Sequence, residues 1–222
     1  LELSFRKFEG EVGFIANIFY NKIENYYYQQ DTGIFAADAH EHDDHEADHD
    51  EHEEHEEHEE HEEHEEHDSE ESGLPIYLFT TADATLYGFE AQVVWQTTED
   101  LKLTAQTDYI RAELDDGGNL PRVPPARVGG SLQYTMDNSM FEFHVMHHFE
   151  QNKLAARETK TEAYTIVDVI YNHDFSYSGL DLTAFVKAKN LLDEEARVHS
   201  SFLKNVTLLP SRSFEVGVRG QF

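Results

Sequence analysis

Ten histidines lie between positions 40 and 67: His40, His42, His45, His49, His52, His55, His58, His61, His64 and His67, the last seven spaced by three. They alternate with acids, as in HDEHEEHEEHEEHEEHEEHD at 49–68. Neutral imidazole beside carboxylate is a ligand set for Zn²⁺, and equally for Ni²⁺ or Cu²⁺. Intrinsic affinity favours Cu²⁺ over Zn²⁺, so ligand type alone does not select zinc. On an α-helix, steps of three drift round the cylinder and give no single stripe. A polyproline-II chain would align them, and a flexible chain can fold neighbouring imidazoles round one ion. Residues 38–71 hold 21 acids, no Lys or Arg, and almost nothing apolar. Such a segment cannot bury a core and is expected to be disordered without metal, offering several weak, exchangeable sites. Its carboxylates raise the local cation concentration. The alternative is a solvated acidic stretch with no metal role; the interleaved histidines argue against it.

HEADH at 45–49 fits H-E-x-x-H, in which two histidines share a helical face and the glutamate acts as general base. Here the match sits in a run of H, E and D, where it arises by chance, and no apolar face is present to hold a helix. No catalytic residue is assigned, and the expectation is a protein that is not an enzyme.

The rest of the chain sets what the tract is attached to. Of the 222 residues, 46 are acidic and the net charge is −30; the 21 acids of the tract leave −9 elsewhere. No basic cluster marks a nucleic-acid surface. The absence of cysteine excludes a disulfide frame and a thiolate metal site. No run of 18 apolar residues is present, so no membrane helix is expected. The opening LELSFRKF has neither Met nor the parts of a signal peptide, and the natural N-terminus is expected upstream.

Outside the tract the dominant period is two. In RSFEVGVRGQF, Phe214, Val216, Val218 and Phe222 share one face, and Ser213, Glu215, Arg219 and Gln221 the other. YGFEAQVVWQ, MFEFHVMHHFE and EVGFIANIFY alternate in the same way. The pattern predicts nine strands near 1–9, 11–29, 76–97, 101–113, 122–135, 139–151, 163–175, 180–190 and 212–222. Short connections near 9–10, 98–100, 136–138 and 176–179 alternate with long ones at 30–75, 114–121, 152–162 and 191–211. Short turns on one side and long loops on the other are the pattern of an outer-membrane barrel, with Trp95 and Tyr109 near opposite rims as girdle residues. A soluble β-sandwich also alternates, but strands of ten or more residues exceed its usual length of about 5–6. Nine strands cannot close as a single-chain bacterial barrel, so this is expected to be the last part of a larger one.

LYGFEAQVVW (86–95), PRVPPARVGGSLQY (121–134), YTIVDVIYNHDF (164–175), VKAKNLLDEEARVHSSFL (186–203) and PSRSFEVGVRGQF (210–222) together resemble the C-terminal barrel of TonB-dependent outer-membrane receptors, in order and spacing. The resemblance covers nearly all of the chain except about 30–75. It implies an all-β, antiparallel transmembrane barrel portion over 1–222, about nine strands at the end of a 22-stranded barrel. Segment 30–75 would be a long, disordered His/Asp/Glu-rich extracellular loop inserted between strands. It implies the bacterial outer membrane, lipid round the barrel, and a TonB complex engaged through an N-terminal part; this sequence carries neither a plug domain nor a TonB box. The His-rich loop with ARVHSSFLKN (196–205) resembles the zinc-uptake members of that family.

Five histidines lie outside the tract. His144 and His148 share a face with Met146 and Glu150 and are expected to point into a barrel lumen, as stations for metal or as polar filler. His147 falls on the apolar face and His173 near the opposite rim, as interface residues. His199, in the last long loop, is a metal-ligand candidate where the chain resembles the zinc receptors. The expected function is uptake of zinc or a similar divalent ion, with the tract as bait. The rivals are a receptor for a metal chelate, siderophore or haem, with the tract as sensor or buffer; a soluble metal-storage protein; and a zinc hydrolase.

Overall fold

The computed structural model describes residues 1–36 and 74–221. They form nine strands: β1 (Glu2–Lys7), β2 (Val12–Ala36), β3 (Leu74–Gln96), β4 (Leu101–Leu114), β5 (Arg127–Met136), β6 (Ser139–His148), β7 (Tyr164–Tyr177), β8 (Leu180–Lys189) and β9 (Ser213–Gln221). All nine join one sheet in chain order, with β1 and β9 at its edges. The fold is all-β and antiparallel, a stretch of barrel wall. No helix among the described residues is long and apolar enough to cross a membrane.

Register gives the sheet two chemically distinct faces. Trp95, Leu103, Leu132, Phe143, Val169, Ala188 and Phe214 pair side by side across seven strands. One residue along, Gln96, Lys102, Gln133, Glu142, Ile170, Lys187 and Glu215 form the opposite row. Alternation puts successive side chains on opposite sides, so the first row belongs to an apolar face and the second to a polar one. Trp95, Phe89, Phe143, Val186, Phe214, Val216 and Val218 are all exposed. An exposed apolar row across successive strands matches the lipid-facing band of a membrane barrel. Phe214, Val216 and Val218 share it, and Glu215 and Arg219 oppose it, as the sequence pattern predicts; Phe222 lies outside the described residues.

The strand ends depart from the sequence pattern for local reasons. β5 starts at Arg127 rather than 122, because Pro124 and Pro125 have no N–H for a ladder. β6 stops at His148 rather than 151, and Gln151 bridges to Thr161 within the loop. The β7–β8 turn places Ser178 and Gly179 both at positive φ, 58° and 80°, which a two-residue hairpin turn of the primed type requires. β2 runs to Ala36 rather than ending at 29. The described residues 30–36 and 74–78 belong to a unit separate from the rest of the sheet, in which Thr32 Oγ1 donates to the Ile76 carbonyl at 2.6 Å. The candidate ligands His40, His42, His45, His49, His52, His55, His58, His61, His64 and His67 lie outside the described residues.

Asn25 breaks the alternation of β2. Asn17 bonds Glu90 at 2.7 Å, which puts the odd positions of β2 on the polar face. Tyr26 and Tyr28 nevertheless pack on that same face, against Ala84, Leu86, Ala112 and Leu114. Asn25 sits at φ 56° and its N–H goes to Asp83 Oδ1 at 3.0 Å. The residue acts as a bulge that re-aims the tyrosines inward. Leu120, from the β4–β5 loop, completes this small core.

Candidate functional site

Three long connections leave the same end of the sheet: 115–126, 149–163 and 190–212. Each is first fixed to its own strands. Leu120 N–H donates to the Ala112 carbonyl at 3.1 Å, folding the first loop back over the polar face. Gln151 and Thr161 exchange backbone hydrogen bonds of 2.9 and 3.1 Å, pinching the second. Asn190 organises the third: its N–H donates to Asp168 Oδ1, and its side-chain amide donates to the Glu194 and Pro210 carbonyls at 3.0 and 3.1 Å. Arg212 pairs with Asp193 at 3.3 Å and closes the base of that loop.

The loops are then tied to one another. Asn119 Nδ2 donates to the Leu154 carbonyl at 2.7 Å, and Gln151 Nε2 to the Val123 carbonyl at 2.8 Å. Glu158 is the main tie. Its Oε1 accepts the Arg122 N–H at 2.6 Å, and its Oε2 accepts the Ala155 N–H at 2.9 Å. The Arg122 guanidinium bonds Gln29 Oε1 at 2.7 Å and lies 3.7 Å from the centre of the Phe202 ring.

His199 fills the space left between the second and third loops. Its side chain is fully buried. Nδ1 is 2.7 Å from Thr161 Oγ1. Nε2 has no hydrogen-bond partner and points at Glu158 Oε2, 3.7 Å away: a charge contact, too long for a hydrogen bond. The Thr161 hydroxyl can donate to Nδ1 or accept from it. Burial works to raise the Glu158 carboxyl, but the His199 imidazole and the N–H groups of Ala155 and Arg122 together hold it below its usual range.

Lys204 stands on the same seam. It is buried, and its ammonium donates a short hydrogen bond to the Thr159 carbonyl. Arg197 Nη1 in turn donates to the Lys204 carbonyl at 2.6 Å. Burial pushes the Lys204 amine down, with the Glu158 charge opposing and Arg197 adding to the fall.

The other two histidine candidates do not join this site. His144 Nε2 is 3.2 Å from Glu142 Oε2 on the polar face. His148 stacks on Tyr164 at 4.4 Å and pairs in register with Arg127, whose guanidinium holds Asp108 at 3.0 Å. On the apolar face His147 meets Thr165 Oγ1 at 2.9 Å, and near the other rim His173 meets Ser139 Oγ at 2.9 Å. Among the described residues, no three His, Cys, Asp or Glu side chains gather as a metal-binding set. His199 and Glu158 form a pair. Sequence reasoning singled out His199 but missed Glu158, Thr161, Arg122 and Lys204, which lie on other loops at no fixed spacing from it.

Comparison with known proteins gives the same architecture. Residues 1–191 match the family model described as TonB dependent receptor-like, beta-barrel. Among solved structures, the copper transporter OprC superposes with a TM-score of 0.70 at 14% identity, covering 98% of this chain and 30% of that one. The pyoverdine outer-membrane receptor FpvA from Pseudomonas aeruginosa PAO1 gives 0.64 at 14% identity, covering 100% and 29%. The FrpB iron transporter from Neisseria meningitidis gives 0.63 at 13% identity, covering 98% and 30%. This chain therefore spans less than a third of the length of each. At these identities the likeness is one of fold.

Proposed function

The chain belongs to the TonB-dependent receptor-like β-barrel family of the bacterial outer membrane, a family of receptors rather than enzymes, and on that premise we propose that it is part of a receptor for uptake of zinc or a similar divalent metal ion. The 38–71 tract captures the ion outside the cell, and the layer of long loops receives it. Energy comes from TonB through a part of the protein beyond this chain.

The observation that carries this reading is the His199–Glu158 pair. A buried imidazole nitrogen without a partner faces a carboxylate oxygen at 3.7 Å. Two ligands of one tetrahedral zinc, at about 2.0–2.2 Å from the metal, stand roughly 3.4 Å apart. The pair is thus within a few tenths of an ångström of a two-ligand seat. Thr161 holds Nδ1, the arrangement by which a metal-ligating histidine is oriented through its second nitrogen. Two protein ligands hold an ion less firmly than a closed four-ligand site, so the ion can exchange onward. The test is metal uptake by cells carrying the full-length receptor with His199→Ala. Uptake falls at both scarce and plentiful zinc if His199 belongs to the path, and uptake equal to the parent at both levels removes it from the path.

A second reading, in which the cargo is a metal chelate, is favoured by a different feature. A hollow of about 230 Å³ lies beside Arg122, walled by Tyr26, Tyr28 and Phe202. Aromatic faces and a guanidinium suit a planar anionic chelator. Competition between free zinc and a chelated metal in the uptake assay separates the two.

A further inference from the structure

The sheet has a notch at its long-loop end, between β4 and β5. The two strands pair only as far as Asp108 and Arg127. Beyond that rung Pro124 and Pro125 have no N–H to extend the ladder, and the chain parts from β4. A hollow of about 150 Å³ opens there, lined by Tyr109, Arg111, Pro124, Pro125, Asn152 and Lys153. Buried Gln151 fixes its walls. The side-chain amide of Gln151 donates to the Val123 and Pro124 carbonyls at 2.8 and 3.2 Å, and its Oε1 accepts the Lys153 N–H at 3.0 Å.

The height of the notch along β4 decides what it meets. Tyr109 shares the apolar face with Leu103 and Trp95, and its ring centre lies 6.0 Å from that of Phe89. Both rings are exposed, as girdle residues are where hydrocarbon gives way to headgroups. Arg111 is next on that face, about 6–7 Å farther toward the long loops. A guanidinium on the lipid side at that level stands among headgroups. Its Nε and Nη2 both bond Glu113 Oε1, at 3.0 and 2.6 Å, and Nη1 takes no part in that pairing. Lys153 is exposed and, among the described residues, makes no ion pair. Glu150 also lines the hollow, but Lys160 already binds it at 2.8 Å. The notch thus presents a guanidinium and an ammonium to one small space, with both nearby carboxylates engaged.

We propose that this notch binds the phosphate of an outer-leaflet lipid headgroup. The planar fork of Arg111 and the point charge of Lys153 are both suited to phosphate oxygens. The occupant is a lipid rather than a soluble anion because Tyr109 and the two prolines give the hollow an apolar side continuous with the lipid-facing band. Lys153 and the prolines belong to the first and second long loops, so a lipid held here also fixes the base of both loops against the membrane. None of this depends on the cargo.

Native mass spectrometry of the full-length receptor in mild detergent tests the site, with lipid A and its dephosphorylated form titrated in turn. The parent should bind lipid A and lose that binding when the phosphates are removed. Arg111→Gln and Lys153→Gln should each weaken lipid A binding roughly tenfold or more, the effect of losing a hydrogen bond to a charged group. Lys22 lies on the same face but outside the hollow, paired with Asp115 at 3.1 Å. Lys22→Gln should leave the affinity within about twofold, because an exposed pair contributes little. Equal losses at Lys22 and Lys153 would mean diffuse attraction to a charged rim and overturn the site. Equal binding of the two lipids would overturn it as well, and so would inorganic phosphate that competes as strongly as lipid A. Should Arg111→Gln fail to assemble, Lys153→Gln decides alone, and an unchanged affinity for lipid A removes the proposal.

Discussion

The Nε2 atom of His199 lies 3.7 Å from Glu158 Oε2, with the imidazole wholly shut off from solvent. The two residues come from different long loops, and a third loop reaches the same carboxylate through the Arg122 N–H. The proposed metal-binding pair and the seam that holds three loops together are therefore one object. Changes at this point should be felt both in metal binding and in loop order.

Thr161 tests that coupling. Its hydroxyl, on a residue 4% exposed, is the partner of His199 Nδ1. Thr161→Val keeps the shape and leaves that nitrogen unsatisfied, at a cost of about 1–3 kcal/mol. Hydrogen exchange should quicken in 152–162 and 196–205, with the strands β5–β8 unchanged, and zinc affinity should fall. Unchanged exchange would show that the bond does not hold the loops.

The assignment of faces has its own test. Spin labels at Phe214, Val216 and Val218 should be quenched by a lipid-soluble reagent, and labels at Ser213, Glu215 and Arg219 by a water-soluble one. Equal access of both reagents to both sets would be incompatible with a membrane-spanning β9.

The bait role of the tract predicts a dependence on supply. Deleting 38–71 from the full-length receptor should reduce zinc uptake when the metal is scarce and spare it when plentiful, because raising local concentration no longer helps once the seat is saturated. Uptake unaffected at every zinc level would remove that role.

Acidity should discharge the tract. Free imidazole titrates near pH 6.5 and only the neutral ring binds metal, while the surrounding carboxylates favour the protonated ring. As pH falls through that raised value, protons displace zinc, so the affinity of a 38–71 peptide should rise steeply from about pH 5.5 to 7.5. Carboxylates alone titrate near pH 4 and would keep their metal well below pH 6. Calorimetry at fixed ionic strength distinguishes them; a flat affinity over that window means the acids bind the ion.

What the sequence reveals depends on whether a feature is local. Phe214, Val216 and Val218 declare their face because a strand has period two, and the Ser178–Gly179 turn declares itself by composition. Pro124 and Pro125 also carry the signal that should have started β5 at Arg127. The bulge at Asn25 is a single residue at positive φ inside an otherwise regular run, and nothing in composition demands it. The site lies at the far end of this scale. His199 stands out by its type, but Glu158 and Thr161 become its neighbours only after two loops have been folded back and tied. Lys204 reads as an ordinary surface lysine until the Thr159 carbonyl is brought to it.

The most direct measurement is zinc-edge anomalous diffraction from crystals of the full-length receptor, lacking 38–71 and soaked with zinc. The account predicts a peak between His199 Nε2 and Glu158 Oε2, at about 2.0–2.2 Å from each. A receptor that transports zinc while this position stays empty and the metal sits elsewhere on the chain would contradict it.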